Sequence, residues 1–343
     1  MIGGEFEIRI DDLSDLTRNA EKSFPDFYKY SSGRAALYHI LSYLRKEKKI
    51  YKIMIPDYLC PSIVRTINIM DYDIIFYPLN NLLQIEKNKF ATLYEKGCAI
   101  LLINYFGIIK IFDQIDYIKS IDCNAVIIED DVQSFYSFMN EDHDVDFQFT
   151  SLRKTFAIPD GGLVKSKHTL KEATQENFFS QYKVSGGILK SLRNLNLFDD
   201  DVYLGLLEQG EALIDSDLFS SMSKMAEHLY LKTDFEQVRN IRKENADYLL
   251  KGLNELGISS IFIPDEDSVP LFIPLLIEDR NRIRKKMFEH QIFCPVHWPL
   301  EGLNLVTGKK MQENELSLIV DQRYNTKDMD LILSMMENVR NVV

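Results

Sequence analysis

Between about residue 50 and residue 165 the chain repeats one pattern, a run of five or six mostly apolar residues followed by a longer and more polar stretch. The runs are Lys52 to Pro56, Asp73 to Pro78, Ala99 to Asn104 and Ala125 to Glu129. Successive side chains of a strand point to opposite faces, so a strand that is apolar at consecutive positions has to be covered on both sides. Such runs, joined by helix-compatible crossovers, predict a mostly parallel sheet flanked by helices. The first ~170 residues therefore read as one α/β unit.

The length of 343 residues predicts about two domains. Residues 170 to 235 are less regular and read as helical, with a break at Gly186-Gly187 and an acidic patch at Asp199-Asp200-Asp201. Ile241, Tyr248, Leu249 and Leu256 mark one face of a long helix, with Gly257 as its C-cap. Ile261 to Pro264, Leu271 to Ile277 and Ile292 to Val296 read as strands around a helix at Arg280 to His290. A closing helix carries Met329, Ile332, Leu333, Met336 and Val339, with Thr326 as N-cap. The expected division is 1–235 as the large domain with an N-terminal arm, and 236–343 as the connecting helix with a small α+β domain.

Charge and targeting signals narrow the function classes. Forty basic against 52 acidic residues give −12, which argues against a nucleic-acid partner because phosphate backbones require a concentrated basic surface. No segment approaches the roughly 20 unbroken apolar residues that span a bilayer. Met1 to Glu7 lacks a basic n-region and an apolar h-region, so the expected location is the cytoplasm, with no membrane partner. Cys60, Cys98, Cys123 and Cys294 form no C-x-x-C pair and read as reduced core or pocket residues, with no metal site.

Four features could carry chemistry. Ser32-Gly33-Arg34 opens a helix with Leu37, Ile40, Leu41 and Leu44 on one face, and the free N–H groups of a helix start are a common seat for phosphate. Glu129-Asp130-Asp131-Val132-Gln133 follows a buried strand, where ligands of open α/β sheets gather. A carboxylate there could be a solvated loop residue, a metal ligand or the partner of a buried cation. With only His143 nearby, metal is the poorer choice. Ser151-Leu152-Arg153-Lys154 precedes the turn at Gly161-Gly162, and a lysine so placed is by default a surface residue. Cys294-Pro295-Val296-His297-Trp298-Pro299 holds the single tryptophan and could be no more than strand-end packing. Together, an acid at Asp130, an amine at Lys154 24 positions later and a phosphate seat upstream match the three attachment points of pyridoxal phosphate.

The sequence resembles the DegT/DnrJ/EryC1/StrS family of pyridoxal-phosphate-dependent sugar aminotransferases. The resemblance is carried by Gly33 to Leu37, Pro56 to Ser62, Glu129 to Gln133, Ser151, Lys154, Gly161 and Gly162, and Leu316-Ser317-Leu318 with the closing helix. It implies the fold-type I, aspartate aminotransferase-like architecture and pyridoxal 5'-phosphate as cofactor. It further implies Lys154 as the catalytic amine, with Gly33, Arg34, Tyr58, Asp130, Gln133 and Ser151 around the cofactor. Asp130 would sit at the ring nitrogen, Gln133 near the phenolic oxygen, and Tyr58 on the ring. His297 and Trp298 would line the substrate pocket. Arg34, Arg153, Lys183 and Arg193 are candidates for a substrate diphosphate. Ser220 and Ser223 stand where family members reach a neighbouring subunit's phosphate. The implied substrates are glutamate as amino donor and a nucleotide-linked keto sugar as acceptor, in polysaccharide or glycoconjugate biosynthesis, and the implied assembly is a homodimer. In the family's dehydratase branch a histidine replaces the lysine, so Lys154 favours transamination over lyase, decarboxylase or dehydratase chemistry. A non-catalytic relative of the fold is the remaining alternative.

Overall fold

The computed structural model describes residues 1–13, 24–260, 262–298 and 305–340, so Ile261 and Pro299 of the sequence reading lie outside the described residues. Eleven strands are described: β1 (Ile2–Gly3), β2 (Tyr28–Tyr30), β3 (Lys52–Pro56), β4 (Asp73–Tyr77), β5 (Ala99–Ile103), β6 (Val126–Asp130), β7 (Phe147–Ser151), β8 (Gly162–Ser166), β9 (Phe272–Leu276), β10 (Ile292–Phe293) and β11 (Glu315–Ile319). Seven form one sheet in the order β2-β8-β7-β6-β5-β3-β4. The four expected runs are β3 to β6, which pair parallel with their neighbours. β7 continues the parallel set, and β8 turns back antiparallel to it.

β2 is antiparallel to β8 and so runs with the parallel strands. The carboxyl ends of β2, β3, β5, β6 and β7 therefore lie along one edge, where ligands of open α/β sheets collect. Both faces of the sheet are covered: all five residues of β5 are buried. The Gly33–Glu47 helix buries Leu37, Ile40, Leu41 and Leu44, each adding roughly 1.5–3 kcal/mol of burial. Its N-terminus thereby comes to rest at the carboxyl edge.

The C-terminal part is built on the antiparallel pair β9 and β11. Helix Phe235–Glu255 packs on the closing helix Thr326–Arg340. The first residues of the chain join this part, since β1 pairs parallel with β10. No helix of the described residues is long and apolar enough to cross a membrane.

Several local expectations are corrected. Gly186-Gly187 is no break but lies inside helix Phe179–Leu192, because close packing there excludes side chains. A Cβ at Gly186 would stand 2.8 Å from Leu207 and one at Gly187 3.0 Å from Ile8. The long helix buries Arg242, Asn245, Ala246, Leu249 and Leu253, whereas Tyr248 is exposed. The strand expected over Ile292–Val296 ends at Phe293, the length of its partner β1. Phe262–Pro264 forms no strand, since Ser260 Oγ accepts from Phe262 N at 3.2 Å and donates to its carbonyl at 2.9 Å. Asn325, not Thr326, caps the closing helix: its Oδ1 accepts from Lys327 N at 2.9 Å, and Asp328 Oδ2 accepts from Asn325 N at 3.0 Å. Cys123 is exposed rather than part of a core or pocket.

Candidate active site

A cavity of about 550 Å³ opens between the carboxyl edge of the sheet and the C-terminal part. At one end the chain leaves β2 and enters the Gly33–Glu47 helix. Ser32 caps that helix, its Oγ accepting from Ala35 N at 3.1 Å. The amides of Gly33 and Arg34 have no intrahelical acceptor, so a partial positive charge faces the cavity. Gly33 is pressed against β7: a Cβ there would meet Val132 at 3.2 Å and Ser151 Cβ at 3.4 Å. Ser151, last residue of β7, thus stands beside the helix start. Gly162 supports this seat from behind, and a Cβ on it would lie 2.1 Å from the Ser32 carbonyl. Gly162→Ala is expected to cost about 1–3 kcal/mol by overpacking, read as a lower urea midpoint, because the Ser32–Gly33 backbone has to move.

Lys154 lies in the short helix Leu152–Thr155 that follows β7, and its side chain lines the cavity. Its amine has neither a hydrogen bond nor an ion pair among the described residues. The side chain is exposed into the cavity, yet the protein enclosing that cavity lowers its basicity, the neighbouring Arg153 and Arg34 charges lower it further, and Glu211 opposes them. Glu211 belongs to the helix Asp200–Ile214 and gathers the local cations. It accepts from Arg34 at 2.9 Å, pairs with Arg153 at 2.8 Å and with Lys183 at 3.2 Å. Burial alone would raise this carboxyl, yet Arg153, Lys183, Lys154 and Arg34 hold it well below the usual carboxylate range.

Asp130 closes β6 and is buried at the cavity wall. Its single side-chain hydrogen bond among the described residues comes from Val132 N, at 2.9 Å. Burial, with a smaller push from Glu129, raises its pKa to about 7 against the opposing Val132 bond. Gln133 also lines the cavity, with its Oε1 held by Phe106 N at 2.9 Å. Behind them, buried Glu129 holds His143 Nδ1 at 2.8 Å, and Glu141 lies 3.2 Å from Nε2.

Burial disfavours the charged His143, but the two carboxylates prevail and raise its pKa to about 9. The unfolded value is near 6.5, so this contribution is complete below about pH 6.5 and is lost as pH rises through 9. It amounts to about 3 kcal/mol. Urea midpoints measured between pH 6.5 and 9.5 should fall accordingly, and His143→Gln should flatten that slope.

The opposite wall comes from the C-terminal part. His297 and Trp298 line the cavity together with Phe272 and Arg242. Arg242 is fully buried and donates to the carbonyls of Pro270, Leu271 and Thr155, at 3.3, 3.3 and 3.1 Å. Tyr58 is buried behind this wall; its hydroxyl donates to the His297 carbonyl at 3.2 Å, and its ring lies 4.9 Å from that of Trp298. At the level of β3 the thiol of Cys60, not Tyr58, lines the cavity.

Gly33, Arg34, Asp130, Gln133, Ser151, Lys154, His297 and Trp298 thus share one cavity, along with Arg153. Lys183 is buried against Glu5 and Glu211, and neither it nor Arg193 lines the cavity. Ser220 and Ser223 are engaged elsewhere, with Asp217 and with Asp160. Sequence reasoning missed Glu211, Arg242, Glu315 and Ser317. The last two leave a signal, a glutamate and a serine alternating with leucines in a strand whose five residues are all buried.

No family model matches the chain, and no curated protein does. Solved structures do. Spr1654 from Streptococcus pneumoniae, described as a sugar aminotransferase and solved in its PLP form, is similar with a TM-score of 0.67 at 14% identity, over 97% of this chain and 95% of that one. The sugar aminotransferase CalS13 from Micromonospora echinospora gives 0.67 at 12% identity, over 98% and 100%. The Escherichia coli GDP-4-keto-6-deoxy-D-mannose-3-dehydratase with bound hydrated PLP gives 0.62 at 14% identity, over 90% and 87%. At these identities the likeness concerns the fold, which along nearly the whole chain is the fold-type I architecture of these solved sugar aminotransferases.

Proposed function

We propose that the chain is a pyridoxal-phosphate-dependent aminotransferase that moves an amino group from glutamate to a keto sugar carried on a nucleotide. One observation carries this reading: an amine (Lys154) and a buried carboxyl (Asp130) that have no charged partner among the described residues face a single cavity together with an open helix start (Gly33, Arg34). These residues fit the cofactor by their chemistry. The Gly33 and Arg34 amides with the Ser151 hydroxyl suit a phosphate, Asp130 suits a protonated ring nitrogen, and Gln133, which lines the same cavity, would lie near the phenolic oxygen. When bound, the cofactor supplies an aldehyde for an amine to condense with and a protonated ring that draws electrons from the donor's α-carbon.

The remaining steps belong to the protein. Lys154 Nζ, held less basic than a surface lysine, takes the proton from the donor's α-carbon and returns one to the neighbouring carbon, as base and then acid. Asp130 holds the proton on the ring nitrogen. Arg34 and Arg153 supply positive charge for an anionic substrate group, and His297 and Trp298 bound the acceptor. Glutamate leaves as 2-oxoglutarate and the keto sugar becomes an amino sugar, two half-reactions in one pocket with ping-pong kinetics. A role in polysaccharide or glycoconjugate biosynthesis and a homodimer belong to the same proposal on the strength of the family resemblance, and a cytoplasmic location and the 1–235/236–343 division belong to it on the strength of the sequence pattern.

Incubation of the cofactor-loaded protein with glutamate tests it. One equivalent of 2-oxoglutarate per site, with an aminated cofactor, is the expected result. Its absence would leave lyase, decarboxylase or dehydratase chemistry, or a non-catalytic relative, as the better reading.

A further inference from the structure

Behind the cavity wall, β11 places Glu315 and Ser317 on one face, and both side chains converge on His297. Ser317 Oγ lies 2.5 Å from Glu315 Oε1 and 3.0 Å from His297 Nδ1. The other carboxylate oxygen, Oε2, accepts from His297 N at 2.7 Å. Glu315 and Ser317 are buried completely. Ser317 Oγ donates to Glu315 Oε1, which uses its single hydroxyl proton. The serine oxygen is then left to accept from His297, which puts the ring proton on Nδ1. With that one ring proton on Nδ1, Nε2 carries a lone pair, and it has no hydrogen-bond partner among the described residues. The ring lines the cavity, confined by Phe106, Phe272 and Trp298. The other polar or charged groups packed here are Arg280, which donates to the Glu315 carbonyl at 2.6 Å, and Tyr58, bound to the His297 carbonyl.

We infer that Glu315 and Ser317 are positioning residues that fix His297 as a hydrogen-bond acceptor, so that the cavity selects a substrate presenting a hydroxyl donor to Nε2. This deepens the aminotransferase reading and, for its substrate, rests on it: a sugar with a free hydroxyl at that point is bound, and the corresponding deoxy or O-alkylated sugar is disfavoured. The order of donors and acceptors also predicts its own reversal. In Glu315→Gln the amide oxygen has to stay on His297 N, which turns the amide NH₂ toward Ser317. The serine then donates to Nδ1 and the ring proton moves to Nε2.

Ring nitrogen-15 NMR of the histidine-labelled full chain at pH 7.5, with His297 assigned by its loss in His297→Gln, reads this directly and needs no activity. The expected result is a protonated Nδ1 and a bare Nε2 in the parent protein, exchanged in Glu315→Gln. A parent protein with its proton on Nε2, or a Glu315→Gln protein that folds with an unchanged tautomer, overturns the inference. Should Glu315→Gln not fold, the parent protein decides alone: a proton on Nδ1 sustains the inference and a proton on Nε2 overturns it, Glu315 Oε1 lying 3.5 Å from Nδ1 as a second acceptor on that side.

In the enzyme assay, Glu315→Gln should lower acceptor kcat/KM about three- to tenfold, the worth of one hydrogen bond, with the glutamate half-reaction unaltered. Equal loss in both half-reactions contradicts the positioning role. If no acceptor is aminated at all, the function proposed above fails, while the tautomer measurement still decides this inference.

Discussion

Replacing Lys154 with alanine should abolish amino transfer, with the rate of 2-oxoglutarate release falling by about 10²–10⁴-fold, the usual contribution of a positioned general base and acid. The geometry makes this an informative substitution. The Lys154 amine faces an open cavity, and removing it breaks no ion pair or hydrogen bond among the described residues. Arg153 and Arg34 also press on it with like charge, and the variant should be at least as stable in urea as the parent. Activity lost with stability kept separates a chemical role from a structural one. Lys154→Arg adds a second test, because a guanidinium remains protonated and cannot take up the α-proton; it should be as inactive as the alanine variant. A small exogenous amine should restore part of the activity to Lys154→Ala and none to Lys154→Arg, whose side chain still fills the space. Full activity in either variant would remove Lys154 from the mechanism.

What the sequence revealed, and what it hid, follows from range along the chain. The runs at Lys52, Asp73, Ala99 and Ala125 are local and continuous, which is why the strands and their coverage on both faces could be read. Asp130 was legible because it ends such a strand, and the sheet topology then places that end beside the ends of β2 and β7. Glu211 could not be found in this way: it sits on a helix some 80 positions beyond Asp130, and only the packing of that helix brings it to Arg34 and Arg153. Arg242 was hidden for a related reason. An arginine on an amphipathic helix reads as solvated, yet here three backbone carbonyls from distant segments satisfy it in the interior. Gly186-Gly187 misled because glycine pairs weaken isolated helices, whereas here close contact with Ile8 and Leu207 leaves no room for a side chain. The pocket-facing segment after Cys294 was recognised, but the fixing of His297 by Glu315 and Ser317 depends on a neighbouring strand.

Asp130→Asn should act in opposite directions on the empty and the loaded protein. In the absence of a cation the buried carboxyl resists ionisation, and its pKa is raised to about 7. A carboxyl raised above its unfolded value, near 3.9, contributes fully to stability below about pH 4, and that contribution is lost as pH rises through 7. Above pH 7 the penalty is about 4 kcal/mol. Asparagine is neutral, keeps an oxygen for the Val132 amide and escapes the penalty. The cofactor-free variant should therefore be more stable than the parent at pH 8 and no more stable at pH 4, as read from urea midpoints. With pyridoxal phosphate present the order reverses, since an amide cannot hold a proton on the ring nitrogen. Removing one partner of a buried charge pair costs about 3–5 kcal/mol, so cofactor affinity should fall by about 10²-fold or more. In the proposed function the same carboxyl is thus a liability to the empty fold and the group that would hold the cofactor's ring. A variant that gains stability but binds the cofactor unchanged would place Asp130 away from the ring. One that loses affinity without gaining stability would mean that Asp130 is already ionised in the empty protein, through a cation not among the groups facing it.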